Sequence, residues 1–159
     1  MAKRKSARRA KSDTKKKLSR VSVSPVGEGN VFAQRGVSAR RSQGKLRHIP
    51  WNSVELEQLN PLLQRQFVVG RDVMVARVLM KRGCIVPEHC HANEQVTYIL
   101  EGALKFWIDG KEIVVNAGEV LTIPSNMPHK AEALSDTVDL DVFTPPRRDW
   151  MEKDDRYLR

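Results

Sequence analysis

The sequence predicts an all-β fold, an antiparallel sandwich or barrel, behind a disordered basic tail. Three observations carry that expectation. Short β-type runs recur along residues 66–144, each closed by turn-forming residues. No stretch leaves room for the alternating long helices of an α/β fold. The first 45 residues lack hydrophobic periodicity and are rich in Lys, Arg, Ser and Gly, so they cannot bury enough apolar surface to offset the entropy of ordering.

The elements follow in order. Residues 1–45 read as the tail and residues 46–159 as one folded domain. Residues 46–51 suggest an entry strand, and residues 53–56 one helical turn that Asn60-Pro61 breaks. Residues 66–80 alternate, with a turn at Gly70-Arg71-Asp72. Residues 95–100 form the next strand and run into Glu101-Gly102. Residues 103–108 are followed by Asp109-Gly110, a hairpin signal. Further strands are expected over 112–115, 119–123 and 137–144, closed by Asn116-Ala117-Gly118, Pro124-Ser125-Asn126 and Pro145-Pro146. Met74 and Met80 share one alternation face and read as core fillers.

The net charge of +9 belongs to the tail. Residues 1–20 hold ten Lys and Arg against Asp13 alone, which is 10 − 1 = +9, and the other 139 residues hold 18 basic and 18 acidic groups. The chain beyond residue 20 therefore sums to zero, and the high isoelectric point does not mark the folded part as a nucleic-acid-binding fold. The tail reads first as solvated chain and second as a weak, non-specific contact for polyanions. Two cysteines, Cys84 and Cys90, are too few for a disulfide framework and read as free thiols. No apolar run reaches the length of a membrane span and no signal peptide is visible, so a cytoplasmic location is expected.

Three of the four histidines fall in one pattern. His89 and His91 are two residues apart, a spacing that turns both imidazoles to one side of a strand and Cys90 to the other. Gln95 follows four residues later, and His129 comes after Asn126-Met127-Pro128. Imidazole nitrogens suit Mn, Fe, Ni, Cu or Zn, and an amide oxygen completes such a set. Glu94 is an alternative fourth donor, at the cost of a changed spacing after His91. His48, upstream of the regular strands, reads as incidental, and Tyr98 and Trp107 as packing residues.

The spacing resembles the two motifs of the cupin superfamily. Gly83, His89, His91, Gln95 and Gly102 match the first, and Gly118, Pro124, Asn126, His129 and Ala133 the second. Gln95 stands where Glu is usual, Asn126 replaces Gly, and Ala133 replaces Asn. Asn tolerates the positive φ that such a glycine would adopt. The resemblance implies a double-stranded β-helix, or jelly-roll barrel, holding one divalent metal ion (Mn, Fe, Ni or Zn) on His89, His91, Gln95 and His129. A neutral ligand set leaves the site near +2, which favours Lewis-acid chemistry on an anionic oxygen substrate over redox cycling.

The run from His89 to Gly102, with Asp141-Val-Phe143-Thr-Pro-Pro-Arg147-Arg-Asp149-Trp150, is similar to small bacterial cupins of the KdgF type. The likeness covers about residues 51–150. It implies an enzyme of carbohydrate metabolism, a metal-dependent isomerase that converts 4,5-unsaturated uronates to linear keto-deoxy acids. Asp141, Phe143 and Arg147 are then its catalytic set, a small anionic sugar acid its substrate, and a homodimer its assembly.

The residues themselves admit this. Asp139, Asp141 and Phe143 share one face of residues 137–144, and Val138, Leu140 and Val142 the other, which reads as core. The acid face is then either solvent-facing or the polar mouth of a barrel, where Asp141 moves a proton, Phe143 walls the pocket and Arg147 grips a carboxylate. The plain alternative is a rim ion pair between Asp141 and Arg147. Two other functions fit the same residues: an Fe(II)-dependent dioxygenase, and a non-catalytic small-molecule-binding cupin. A dimer contact along residues 154–159 is a further expectation.

Overall fold

Ten strands in two antiparallel sheets make up the computed structural model, which describes residues 44–159. The expected disorder of the basic tail falls outside the described residues. The strands are β1 Glu57–Asn60, β2 Leu63–Val69, β3 Met74–Met80, β4 Ile85–His89, β5 Glu94–Glu101, β6 Ala103–Ile108, β7 Lys111–Asn116, β8 Val120–Ile123, β9 His129–Ala133 and β10 Thr137–Thr144. One sheet runs β1-β2-β3-β10-β5-β8 and the other β4-β9-β6-β7. A short helix, α1 Arg148–Met151, and a 3-10 turn, Arg156–Leu158, follow β10.

The turn chemistry accounts for the connections. Asp109 and Gly110 adopt φ of 51° and 68°, the paired left-handed residues of a tight hairpin between β6 and β7. Asn126 takes φ 62°, as expected of its place in the second motif, and its N–H donates to His91 O at 2.7 Å. That bond ties the β8–β9 loop to the loop that carries His91. Gly102 is required sterically: a Cβ there would sit 2.3 Å from Asp136 O.

Period-2 alternation builds the interior. In β3, Met74, Ala76, Val78 and Met80 are buried while their neighbours are half-exposed. With Leu63, Ile99, Leu104, Phe106, Ile123 and Phe143 they fill the space between the sheets. Burial of such side chains contributes about 1.5–3 kcal/mol each.

Several expectations change. Residues 46–51 form no strand; the chain is irregular to Pro50 and makes a 3-10 turn at Trp51–Ser53, two residues before the expected helical turn. Asn60-Pro61 breaks no helix but turns β1 back onto β2, so β1 was missed: its four residues are too short to alternate visibly. More important for function, the face of β10 expected to be core lies outward, and the acid face, open to either reading, lies inward. Thr137, Asp139, Asp141 and Phe143 point inward and are buried, whereas Val138, Leu140 and Val142 are half-exposed on the outer face. Polarity misleads here because the inner face is lined for chemistry as well as for packing.

Candidate metal centre

The inner face of the six-stranded sheet is organised in cross-strand rows. One row runs Phe67, Ala76, Asp141, Thr97; the next runs Val69, Met74, Phe143, Gln95, Ile123. Register alone thus sets Asp141 beside Thr97 and Gln95 beside Phe143. From the opposite sheet, β4 and β9 pair His89 directly with His129. His91 lies two residues past the end of β4, in a loop rather than on a strand as its spacing suggested.

The three imidazoles converge. Ring centroids are 4.3 Å apart for His89 and His129, 5.7 Å for His89 and His91, and 5.2 Å for His91 and His129. One nitrogen from each lies within 4.8 Å of the others, so the trio forms a group able to hold a metal ion. Each Nδ1 faces a main-chain carbonyl: His89 with Pro87 O at 2.9 Å, His91 with Asn93 O at 3.0 Å, and His129 with Met127 O at 2.8 Å. A carbonyl accepts only, so Nδ1 carries the proton and Nε2 presents a lone pair, the tautomer a metal requires.

Burial lowers all three imidazoles from their ordinary value, His89 and His91 to about 4. For His89 the charge of His129 comes next, and for His91 that of Arg147. Arg147 also acts on His89 and His129. All three rings are therefore neutral near pH 7.

Gln95 is buried and Glu94 exposed, so the carboxamide, not the carboxylate, faces the trio. Gln95 Oε1 lies 3.1 Å from His91 Nε2, while its Nε2 donates to Thr97 Oγ1 and Asp141 Oδ1, both at 2.8 Å. Thr97 Oγ1 donates to the same Oδ1 at 2.5 Å. These donors fix which end of the amide points at the imidazoles. Three lone-pair nitrogens and one amide oxygen directed inward suit a divalent ion of the borderline class.

Behind Gln95 lie two buried carboxyls. Burial pushes Asp139 well up, and the charge of Asp141 pushes it further. Burial also raises Asp141, but the donors Thr97 and Gln95 and then the Arg147 charge oppose it. Asp139 is thus the more readily protonated of the two and Asp141 the more readily ionised.

No ion pair joins Asp141 to Arg147. The Arg147 guanidinium, 1% exposed, forks onto Asp149, Nε to Oδ1 at 2.9 Å and Nη2 to Oδ2 at 2.6 Å. Its centre lies 5.3 Å from the Phe143 ring and 4.8 Å from that of Trp150. His91 meets Phe143 edge-on at 5.6 Å. Asp141, Phe143 and Arg147 thus line one cavity of about 50 Å³ with His89, Gln95 and His129.

The other singled-out residues lie elsewhere. His48 is exposed, Cys84 buried and Cys90 exposed, with no disulfide between them. Tyr98 is 39% exposed. Lys105 and Lys130 cover the Trp107 ring, and its N–H donates to Glu112.

Sequence reasoning missed Thr97, Asp149 and Tyr157. For Tyr157 the signal was there: an aromatic and a leucine in an otherwise charged run. The segment packs on its own barrel. Asp155 is fully buried 2.8 Å from Arg65, and Leu158 is 6% exposed. Among the described residues, no helix is long and apolar enough to cross a membrane.

Two facing antiparallel sheets with three imidazoles gathered between them define a cupin with a potential metal site, and residues 76–144 match the cupin-domain family. The chain carries a cupin domain, and it resembles the KdgF type in particular. It is 26% identical over 105 residues to the pectin degradation protein KdgF of Dickeya dadantii (strain 3937), covering 64% of this chain and 91% of that protein. The structure of KdgF from Halomonas sp. superposes with a TM-score of 0.63 at 25% identity, covering 67% of this chain and 99% of that one. An RmlC-like cupin from Shewanella frigidimarina gives a TM-score of 0.62 at 26% identity, covering 68% and 98%.

Proposed function

We propose that the chain linearises a small cyclic sugar acid of the 4,5-unsaturated uronate type, with a divalent metal held by His89, His91, Gln95 and His129. The observation that carries this reading is the 2.8 Å bond from Gln95 Nε2 to Asp141 Oδ1. It joins a buried carboxylate, able to move a proton, to the amide whose oxygen faces the imidazole trio. The similarity to KdgF proteins supports the substrate class.

Linearisation is an isomerisation. The anomeric hydroxyl loses a proton, the bond between C1 and the ring oxygen breaks, C5 becomes a ketone and C4 gains a proton. Atoms balance without a co-reactant. A bound divalent metal supplies Lewis acidity to substrate oxygens. Asp141, the anion of its pair, takes the proton from the hydroxyl and returns it to C4. Thr97 and Gln95 hold its Oδ1 in place during both transfers. Phe143 walls the pocket against water, and Arg147 faces the substrate carboxylate.

The test is turnover of 4,5-unsaturated galacturonate, followed by loss of its enol-ether absorbance, in metal-loaded wild type and Asp141→Asn. Wild type is expected to turn over and the variant to lose at least about 100-fold in kcat with its metal content intact. Near-normal turnover in Asp141→Asn refutes the proton-transfer role. Absence of turnover in wild type, with oxygen uptake by the iron-loaded chain, replaces this reading with a dioxygenase.

A further inference from the structure

The Arg147–Asp149 fork leaves part of the guanidinium open. Nε and one hydrogen of Nη2 serve Asp149, and the other Nη2 hydrogen serves Tyr157 Oη at 2.7 Å. Nη1 donates to no group among the described residues. Tyr157 Oη accepts from Arg147, yet its own proton likewise has no protein acceptor. Both residues line the cavity that His89, Gln95 and His129 also line.

Tyr157 is firmly placed. Its ring stacks on His89, with centroids 4.6 Å apart and planes 28° from parallel. On its N-terminal side, Asp155 is fully buried against Arg65 and accepts from Arg159 Nε at 3.0 Å. On its C-terminal side, Leu158 is buried and its carbonyl accepts from Asn60 Nδ2 at 2.8 Å. The phenol is therefore held at the cavity wall from both flanks.

We propose that Tyr157 Oη and Arg147 Nη1 act together as a two-pronged carboxylate anchor, the phenol taking the place of the second guanidinium prong that Asp149 occupies. This rests on the sugar-acid reading above. The cavity of about 50 Å³ has room for a carboxylate group or one to two waters. Arg147 and Asp149 cancel in charge and Asp141 carries at most one negative charge, so a divalent ion on the unprotonated Nε2 atoms would leave the pocket cationic and favour an anionic ligand. Each prong keeps a hydrogen that no protein group accepts, and a carboxylate offers one oxygen to each, with the charge of the guanidinium strengthening the pair.

The test uses the full metal-loaded chain and compares D-galacturonate with D-galactose, its neutral counterpart, by calorimetry in wild type and Tyr157→Phe. The variant keeps the ring on His89 and removes only the hydroxyl; equal metal content and melting midpoint verify its fold. Wild type is expected to prefer galacturonate by at least about 10-fold, and Tyr157→Phe to reduce that preference about 10-fold with galactose binding unchanged. On 4,5-unsaturated galacturonate, KM rises about 10-fold while kcat stays within about 3-fold, the mark of a binding group. An unchanged preference in Tyr157→Phe, or none in wild type, overturns the anchor. If preference and variant behave as expected but no turnover is found, the anchor stands and the linearisation reading falls. If wild type turns over and Tyr157→Phe changes neither preference nor KM, the reading stands and the anchor falls.

Discussion

Gln95 Oε1 and His91 Nε2 face each other at 3.1 Å, and neither has a proton to offer. The single proton of neutral His91 lies on Nδ1, toward Asn93 O, and the amide hydrogens of Gln95 point to Thr97 and Asp141. Two lone pairs at that distance repel unless a cation lies near both.

Gln95→Glu therefore acts in opposite directions on the apo and metal-bound states. It removes two N–H donors from Thr97 and Asp141 and sets a second charge beside Asp141. The metal-free variant is expected to lose about 1–3 kcal/mol of stability, and a divalent metal to recover more in the variant than in wild type. Melting midpoints with and without Mn²⁺ or Zn²⁺ measure both.

Loss of a ligand differs from loss of a neighbour. His129→Ala is expected to weaken Zn²⁺ binding by at least about 100-fold, since even outer-shell changes cost 10–100-fold. Cys90→Ser, at an exposed position between His89 and His91, should leave it unchanged. Competition with a chromogenic chelator reads the two constants.

The imidazoles set an acid limit. His89 and His91 titrate near 4 in the folded metal-free protein and near 6.5 when unfolded. Between those values the unfolded chain binds more protons, so the contribution of these groups is complete above about 6.5 and declines as pH falls toward 4. NMR titration of the histidine Cε1 protons in metal-free protein should show two of them with midpoints near 4. Midpoints at 6.5 would contradict the burial argument.

Asp139 has the reverse sign. Its folded value is raised well above 3.8, so the stability it provides is present below that value and is lost as pH rises, because only the unfolded chain releases the proton. Asp139→Asn is neutral at any pH. It should leave the urea midpoint unchanged at pH 3.5 and raise it at pH 7. Equal shifts at both would place the proton elsewhere.

The basic tail gives a prediction independent of the barrel. The intact chain is expected to bind a DNA duplex with an affinity that falls steeply with salt, and a chain lacking residues 1–45 to bind none. Fluorescence anisotropy at several salt concentrations separates the cases.

The features legible in the sequence were those that local spacing determines. His89, His91 and His129 could be read because imidazoles are scarce here, and β6 and β10 because they alternate and end at Asp109-Gly110 and Pro145-Pro146. The inner face of β10 could not. The acid face could be solvent-facing or the mouth of a barrel until Thr97 and Gln95, more than forty residues earlier on β5, are seen to donate to Asp141. Arg147 reads as a carboxylate grip or as a partner of Asp141 until Asp149 and Tyr157 are seen on it. Burial of a charge depends on partners distant in the chain, and periodicity carries no trace of them. Within residues 154–159 the inward turn of Asp155 onto Arg65 and of Leu158 onto Asn60 was hidden for the same reason.

The carbonyls that orient the three imidazoles come from Pro87, Asn93 and Met127, each two residues from its ring. Main chain, not side chain, selects the tautomer. Substitutions at those three positions can alter bulk, charge or polarity and still present the same carbonyl, provided the loop path is kept. The pocket wall is thereby free to diverge toward new ligands while the ion-binding geometry is inherited intact, a division of labour that lets one scaffold serve many chemistries.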